Sequence, residues 1–550
     1  MYQIKGILFL VSAHHRSITV ISGEELSAFD AFPWWPCHVS QNELERLDIM
    51  TDVYLNVQTV LAGLSIGLLV YYVIRRLRYR LPPGPWCIPL IGHYKVYNSL
   101  EVHKKLVELS KKYGPIVRLY FGPKTWIVLN DIDAVLEALV EKKADFAGRA
   151  KFETDYAFTE GGKDIVFGNY SPTWKLHRKI AGKALRRYLQ GDLLDNMIQD
   201  NMNKFLNKMT EQKDPFIFKD YVDLMIFHQL YTICFGEKRP IDDPEVKKLL
   251  ELGEDLNRCL TVGLLEDVVP YLKDIYTTAG WRSFRDTTDQ ILKILRTKFK
   301  QHMDTFEPGV NRDFIDSMLI ARHEAENEGD EAVLEKLDDT HLIQTVSDIF
   351  FGGVITTRYT MDWFVYFMTK HPDIQTQCQM EIDRVVDSGR PSMKHRKNLD
   401  FTEACLFESM RLGCVFGIGI PHMAICDSQI GGYDIPKGTT IVINYWALHH
   451  DPKYWKDSEK FDPYRYLDEN GKMKSITPKS WLPFSAGRRV CLGETVAKPE
   501  LLLMCANLLQ RFEIRLPDGI KPNLEYKMMG FGVEIPSEYK IVVKERLEMK

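Results

Sequence analysis

The sequence lacks several patterns that would place it in a common class. None of its 10 cysteines forms a C-x-x-C pair, which argues against a structural zinc site, and their scatter along 550 residues is not that of a disulfide framework. Lys and Arg total 71 against 75 Asp and Glu, so the basic surplus of a nucleic-acid-binding protein is missing. There is no internal repeat and no nucleotide-binding glycine fingerprint. With 45% hydrophobic residues, the composition favours a globular protein with a sizeable core and reduced cysteines.

One segment free of charged side chains lies near the N-terminus. Residues 53–74 read VYLNVQTVLAGLSIGLLVYYVI, and as a helix they would extend about 33 Å, enough for a hydrocarbon core of about 30 Å. Four arginines follow within residues 75–80, so the positive-inside rule predicts that the downstream chain faces the cytosol. We predict three parts, namely an atypical, poorly ordered extension (1–49), a transmembrane signal anchor with a basic stop (50–80) and a catalytic domain (81–550).

Helical periodicity predominates after the anchor. Apolar residues recur at three- and four-residue spacing in residues 193–209, 246–260, 287–303 and 338–370. Short strand-like patterns occur in residues 116–120, 125–129 and 440–443. The charged run 324–335 predicts a solvated loop or helix end. The sequence therefore predicts a mainly α domain with a small β portion.

The most specific pattern surrounds Cys491. Residues 484–493 read FSAGRRVCLG and match F-x-x-G-x-R-x-C-x-G at every fixed position, including Phe484 and Gly487. Glycines permit turns with positive φ and let backbone N–H groups approach a sulfur atom. A thiolate in such a loop can bind haem iron and favour cleavage of the O–O bond, and Arg489 can pair with a haem propionate. If Cys491 were an inert core thiol, the match at five fixed positions of this pattern would have no explanation.

These residues resemble the microsomal cytochrome P-450 family, and other landmarks of that family occur in the expected order. Glu408 and Arg411 match its E-x-x-R motif, whose spacing puts both charges on one helix face. Residues 461–466, FDPYRY, resemble a following segment, which implies that Arg465 joins Glu408 and Arg411 in a buried ion network. The resemblance covers the chain from about residue 82 to its end. It implies a cytochrome P-450 fold with haem b, whose iron Cys491 ligates axially.

Further basic residues resemble the partners of the haem propionates. Trp174 and Arg178 in WKLHR match the family's W-x-x-x-R, which implies that both bond a propionate. His422 occupies the place of another propionate partner, and Arg149 in FAGR is a further candidate. Any one of these cations would be unremarkable at a surface, but together they supply the positive lining that a buried dianionic cofactor requires.

Within the family, the chain looks closest to the steroid 17α-hydroxylase/17,20-lyase branch. The similarity lies in DIFFGGVITT (348–357), YWALHH (445–450) and LLQRFEIRLPDG (508–519). It implies a monooxygenase that inserts one oxygen atom from dioxygen into a lipophilic small molecule, for which a steroid is a candidate. Steroid-hydroxylating relatives hold the ring-A oxygen with an Asn. A gapless alignment puts Cys259 there, with Asn257 two residues earlier.

The oxygen-activating helix departs from the family pattern (A/G)-G-x-(D/E)-T-T. Residues 352–357 read GGVITT, so Thr356 keeps the catalytic alcohol while Ile355 replaces the acid that would relay protons. Water with Thr356 could suffice, Asp348 could help, or dioxygen use is poorly coupled to product. A haem-thiolate isomerase or dehydratase that does not use dioxygen, and a non-catalytic haem or sterol binder, therefore remain alternatives. Pro499, inside a predicted helix, is a second departure and costs about 3 kcal/mol unless a kink absorbs it.

The resemblance also implies partners and a location. Electrons would come from NADPH through NADPH–cytochrome P-450 reductase, with cytochrome b5 as a second candidate, and the anchor would hold the protein in the endoplasmic reticulum membrane as a single-pass protein. Docking of an acidic partner beside the cysteine would use nearby cations, although scattered solubilising charge explains them equally well. These cations are Lys175, Lys479, Arg488 and Lys498.

Overall fold

The computed structural model describes residues 78–87, 92–97, 99, 101–188, 193–240, 243–262, 264–269, 272–328, 336–520, 526–529 and 533–546, with residues 59, 60, 62, 63, 65–67 and 70. The chain divides into two units, Met1–Arg80 and Leu81–Lys550. In the first, the predicted extension 1–49 and most of the predicted anchor 53–74 lie outside the described residues. Those described between 59 and 70 are helical. No helix in the described part of the chain is long and apolar enough to cross a membrane.

Helices form most of the second unit, as the periodicity predicted. Three short 3₁₀ turns also occur in the described chain, at Met393–Asn398, Pro463–Tyr466 and Gly487–Arg489, and a π-helical turn spans Glu137–Glu141. The α-helices are α1 (Tyr94–Tyr97), α2 (Val102–Tyr113), α3 (Ile132–Leu136), α4 (Glu153–Phe158), α5 (Pro172–Tyr188), α6 (Leu193–Thr210), α7 (Phe218–Phe235), α8 (Pro244–Val262), α9 (Leu265–Val268), α10 (Leu272–Ile275), α11 (Ala279–Asp304), α12 (Phe314–Glu328), α13 (Asp339–Lys370), α14 (Pro372–Val385), α15 (Asp400–Gly413), α16 (Tyr445–His450) and α17 (Glu494–Arg511).

The strands are short and confirm the predicted small β portion. Within the described residues the larger sheet has the order β1-β2-β8-β5-β3, in which β2 and β8 are parallel and the other pairs are antiparallel. Smaller sheets pair β4-β12-β9, β6-β7 and β10-β11. The strands are β1 (Ile116–Phe121), β2 (Lys124–Leu129), β3 (Gly148–Arg149), β4 (Phe216–Ile217), β5 (His422–Met423), β6 (Ser428–Ile430), β7 (Tyr433–Ile435), β8 (Thr440–Ile443), β9 (Phe512–Arg515), β10 (Tyr526–Met529), β11 (Val533–Pro536) and β12 (Lys540–Glu545).

The long helix α13 runs through the core. Asp338 caps its first turn, accepting a hydrogen bond from the His341 N–H at 3.3 Å, and Pro372 disfavours further helix at His371. Its second half is buried on all sides, as expected of a helix surrounded by other helices, and α13 packs against α7, α15 and α17. Each fully buried Phe or Met contributes about 1.5–3 kcal/mol. This burial fixes the position of residues 352–357.

Helix α17 continues through Pro499, which lies in its second turn. Proline there removes one backbone hydrogen bond, but the residues of α17 that follow it, 500–509, are buried. Packing against α14, α15 and α6 therefore offsets the local cost. The predicted departure at Pro499 does not interrupt the helix that follows Cys491.

Candidate active site

The cysteine loop, residues 484–493, leads into α17. The Cys491 N–H donates to the Phe484 carbonyl at 2.9 Å and closes the loop. Gly487 has a φ of +73°, and a Cβ on it would lie 1.7 Å from the Leu139 carbonyl oxygen in the π-helical turn Glu137–Glu141. Glycine is required here on both counts, since the φ is left-handed and the neighbouring backbone leaves no room for a side chain.

The Cys491 sulfur lies at the N-terminal end of α17. Burial raises the pKa of this thiol, whereas hydrogen bonds from the Gly493 and Glu494 backbone N–H groups lower it. The Glu494 carboxylate raises the pKa further, and the Arg178 guanidinium lowers it. Cys491 is nevertheless exposed. Backbone N–H donors directed at a sulfur stabilise a thiolate ligand.

The arginine cradle consists of Arg149, Arg178 and Arg489. These guanidinium groups donate to backbone carbonyl oxygens, and within the described chain none of them is in an ion pair with a carboxylate. The donors and acceptors are Arg489 Nε to Ala147 (2.8 Å), Arg489 Nη1 to Ile165 (3.0 Å), Arg489 Nη2 to Gly168 (2.7 Å), Arg149 Nε to Val166 (2.8 Å), Arg149 Nη1 to Ile420 (3.1 Å) and Arg178 Nη2 to Val490.

The arginine cradle holds positive charge that the surrounding protein only partly compensates. Burial lowers the pKa of Arg489 to about 8 and that of Arg149 to about 10, and Arg149 also lowers the pKa of Arg489. Guanidinium groups remain charged in proteins, so an anion entering this site would relieve the unfavourable burial. A dianionic haem, with two propionates beside the arginines and iron beside Cys491, fits this donor set.

Trp174 and His422 lie beside the arginine cradle, although their polar atoms have protein partners. Trp174 Nε1 donates to the Ile165 carbonyl at 3.0 Å, and Arg489 stacks 4.0 Å from the Trp174 ring centre. His422 lies opposite Arg149 in the β5–β3 pair, and its Nδ1 is 3.0 Å from the Phe146 carbonyl oxygen. Burial and then Arg149 lower the pKa of His422 far below its usual range. Propionate bonds from Trp174 and His422 stay predictions.

The predicted ion network beneath the cysteine loop forms. Arg411 Nε is 2.8 Å from Glu408 Oε2, and Arg465 Nε is 3.2 Å from Glu408 Oε1. Glu408 and Arg411 are fully buried. Arg411 also donates to the His449 carbonyl at 2.7 Å and stacks on Trp455. The network joins α15 to the chain segments that precede the loop.

The α13 groove consists of Gly352, Ile355 and Thr356. A Cβ on Gly352 would have no heavy atom within 4 Å, whereas one on Gly353 would lie 2.9 Å from Leu230. Gly352 therefore opens the groove, whereas Gly353 permits close packing against α7. Thr356 Oγ1 donates to the Gly352 carbonyl at 2.9 Å. The catalytic role of Thr356 stays a prediction.

Asp348 does not lie within direct reach of Thr356. It precedes Thr356 by eight residues on α13, about 12 Å of helix axis, and its Oδ2 accepts a hydrogen bond from the Ile165 N–H at 2.8 Å. Its neighbour Asp164 is 1% exposed and was not predicted from the sequence. The contact between the Tyr445 hydroxyl and Ser485 Oγ (2.7 Å) was not predicted either. No motif marks these contacts, because they join distant parts of the chain.

A small pocket lies beside α13. Asn257 of α8 lines it and is 6% exposed, whereas Cys259 does not line it. A larger surface recess of about 540 Å³, next to Tyr113 and Glu137, contains none of the predicted haem residues. The pocket beside α13 is lined by Phe227, Gly253, Glu254, Asn257, Phe351, Val354, Ile355 and Arg358.

The four predicted docking cations differ in their surroundings. Lys479 pairs with Asp133, and Lys498 pairs with Glu494 at 2.7 Å. Lys175 lies over the Tyr170 ring, and Arg488 is exposed. Internal ion pairs therefore partly neutralise the predicted docking face.

Comparison with known proteins agrees with this geometry. Residues 82–543 match the family model Cytochrome P450. The chain belongs to the cytochrome P450 family. The fold, the haem cofactor with a cysteine thiolate ligand and the monooxygenase class follow from this membership and from the relatives. They support the monooxygenase prediction rather than the isomerase, dehydratase or binder alternatives.

The relatives of this cytochrome P450 include steroid-metabolising enzymes. It is 34% identical over 473 residues to a steroid 17-alpha-hydroxylase/17,20 lyase of Ictalurus punctatus, covering 85% of this chain and 91% of that protein. A Squalus acanthias protein of the same name is 33% identical over 481 residues, covering 85% and 92%. A zebra fish cytochrome P450 structure with progesterone has a TM-score of 0.72 at 30% identity, covering 80% of this chain and 99% of that chain.

Proposed function

We propose that this cytochrome P450 hydroxylates a steroid or a similarly lipophilic small molecule, with Cys491 as the axial ligand of its haem iron. The observation that carries the assignment is that the buried Arg149 and Arg489 and the half-buried Arg178 converge on the loop that presents the Cys491 sulfur, with no ion pair to a carboxylate among the described residues. When bound, haem with a thiolate ligand supplies dioxygen activation, in which one oxygen atom enters the substrate and the other leaves as water.

The chain's own residues would perform three tasks around that group. Gly493 and Glu494 donate backbone N–H groups to the Cys491 sulfur, which stabilises its negative charge. Arg149, Arg178 and Arg489 would hold the propionates through charge-assisted hydrogen bonds, with Trp174 and His422 as neighbours. Phe484 and Gly487 shape the loop that would present Cys491 to the haem iron.

Proton delivery on the α13 side would depend on Thr356 and water. Thr356 Oγ1 can both accept and donate a hydrogen bond, and its present acceptor, the Gly352 carbonyl, lies in the open part of the groove. Ile355 has no exchangeable proton on its side chain. Thr356 would then pass protons from water to the site of dioxygen activation, and the missing acid would limit the rate of that transfer.

The substrate class rests on the pocket and on the relatives. Phe227, Phe351 and Val354 form the apolar part of the lining, to which Asn257 adds one amide and the Arg358–Glu254 ion pair (3.4 Å) adds charge. The enclosed space is about 10 Å³, so the relatives carry the substrate class and this lining contributes the polar contact at Asn257. Asn257 would hold a ring oxygen of a steroid, as the corresponding Asn is expected to do in steroid-hydroxylating relatives.

The cellular setting follows from the N-terminal sequence. Residues 53–74 would anchor the protein in the endoplasmic reticulum membrane, with the catalytic domain in the cytosol. Lipophilic substrates could then enter from the bilayer. NADPH–cytochrome P-450 reductase would supply electrons, with cytochrome b5 as a second donor, and Lys175 and Arg488 would contribute to docking.

The test is spectroscopic first and catalytic second. Reduced protein in membranes should give the strongly red-shifted carbon monoxide band of thiolate ligation, and progesterone should shift the ferric spectrum. With reductase and NADPH, oxygen consumption should accompany a hydroxylated steroid. Asn257→Ala should weaken the progesterone shift while leaving the carbon monoxide band intact, whereas Cys259→Ala should change neither. Haem-containing protein that turns over no lipophilic substrate would contradict the proposal.

A further inference from the structure

A buried carboxyl pair, Asp164 and Asp348, lies next to the arginine cradle but belongs to none of the assigned residues. Asp164 lies in the segment between α4 and α5, and Asp348 lies on α13, one turn before Gly352. Asp164 Oδ2 accepts a hydrogen bond from the Phe167 N–H at 2.6 Å. Asp164 Oδ1 is buried and has no N–H or O–H donor. The side chains of Asp164 and Asp348 are within hydrogen-bonding reach of each other.

Such a pair requires a proton. Two ionised carboxylates repel each other and offer only acceptor atoms, so one must be protonated for a hydrogen bond to form. Burial and then the charge of Asp164 raise the pKa of Asp348 well above its usual range, and burial raises the pKa of Asp164 to about 6. Burial and the proximity of the two carboxyl groups therefore both favour retention of a proton on this pair.

The segment 164–168 links this carboxyl pair to the arginine cradle. Its N–H side faces α13, because the Ile165 N–H donates to Asp348 at 2.8 Å. Its carbonyl side faces the predicted haem partners: Ile165 accepts from Arg489 and Trp174, Val166 from Arg149, and Gly168 from Arg489. A few residues thus connect α13 with most of the predicted propionate site.

We propose that Asp164 and Asp348 are positioning residues whose shared proton fastens segment 164–168 to α13 and thereby orients Arg149, Arg489 and Trp174 toward the haem propionates. The proposal rests on the haem assignment above and adds a control of that site by proton concentration. Neither residue contacts the Cys491 sulfur in any described hydrogen bond, and both act through the segment.

The sign of the pH effect follows from the raised pKa values. A carboxyl group with a raised folded-state pKa stabilises the native arrangement at low pH, and this contribution is lost as pH rises through the folded pKa. Arg489 and Arg149 favour ionisation of Asp164, whereas Asp155 on α4 opposes it. Loss of the shared proton leaves two adjacent buried charges, so the segment would separate from α13 at alkaline pH and haem would be held less firmly.

The experiment measures haem release from the purified ferric holoenzyme to excess apomyoglobin, from mildly acidic to alkaline pH. Wild-type release should accelerate by about tenfold across the transition, the factor that corresponds to one pKa unit. Asp164→Asn replaces the shared proton with an amide N–H that does not titrate, so its release rate should be slow and independent of pH. Asp362→Asn, a matched change of another buried carboxyl on α13 whose pKa burial raises to about 7, should keep the wild-type profile.

Infrared spectra provide a second readout that does not depend on haem release. The wild type at neutral pH should show carbonyl stretches of protonated carboxyl groups, of which Asp164→Asn should remove the component that titrates together with haem release. Asp362→Asn should leave that component in place. An identical pH dependence of haem release in wild type and Asp164→Asn, with the thiolate carbon monoxide band intact in both, would overturn the proposed role of the carboxyl pair. Absence of that band in the wild type would instead overturn the proposed function.

Discussion

The cysteine loop and the α13 groove differ in what determines their functional atoms. In the loop, backbone contacts determine the geometry: Cys491 N–H bonds Phe484, and Gly487 touches Leu139. In the groove, Gly352 leaves open space and Ile355 is half-buried at a pocket wall. A side chain in the groove can therefore change without disturbing the fold, whereas the loop tolerates little change. Proton delivery can vary in this protein while thiolate ligation is retained.

Removal of the predicted ligand should have the largest effect. Cys491→Ala leaves the loop backbone free to form but removes the sulfur, so the red-shifted carbon monoxide band should be lost completely. Cys426→Ala is the matched control, because Cys426 is also exposed and unpaired but lies outside the loop. A Cys491→Ala protein with the wild-type band would show that another residue ligates the iron.

Disruption of the ion network of Glu408, Arg411 and Arg465 should have the next largest effect. Glu408→Gln leaves the Arg411 charge buried and uncompensated, and breaking such a pair costs about 3–5 kcal/mol. Lys105 and Glu108 form an exposed pair with the same three-residue spacing, 3.1 Å apart, and an exposed pair contributes at most about 1 kcal/mol. Urea unfolding followed by circular dichroism should show a much larger loss for Glu408→Gln than for Glu108→Gln. Equal losses would contradict the role of burial.

Substitution at Gly487 tests how rigid the loop is. Gly487 and Gly471 both have a φ of +73°, but a Cβ meets the Leu139 carbonyl only at Gly487 and meets nothing within 4 Å at Gly471. Alanine at either position should cost about 1–2 kcal/mol for the left-handed backbone, with an added loss at Gly487 from displacement of the loop. The fraction of protein with the thiolate carbon monoxide band should fall for Gly487→Ala and stay unchanged for Gly471→Ala. Similar behaviour of the two variants would mean that the loop can move away from Leu139.

Local sequence patterns predicted the cysteine loop and the long helices. They could not predict contacts between residues that are distant along the chain. The periodicity of 338–370 predicted α13 to within one residue of its start, because the apolar residues of a buried helix recur at regular spacing within one continuous segment. No local pattern identifies Asp164, because its partner Asp348 lies 184 positions away along the chain. The same applies to Asn257, because its place in the pocket wall depends on how α8 lies beside α13.

Restoring an acid to the α13 groove should have the smallest effect on structure and the most informative effect on chemistry. Ile355 borders a pocket and is half-buried, so Ile355→Glu should fold, and partial burial would raise the pKa of the new carboxyl toward neutrality, where a proton donor is most effective. Product formed per NADPH consumed should rise if proton delivery limits turnover. Ile355→Gln has the same size and polarity but does not titrate, so it should leave coupling unchanged. A rise in both variants would assign the effect to polarity or hydration of the groove. No rise in either variant would show that Thr356 and water already supply protons fast enough. The α13 groove would then deliver protons without an acid, although its side chains are less constrained than the backbone of the cysteine loop.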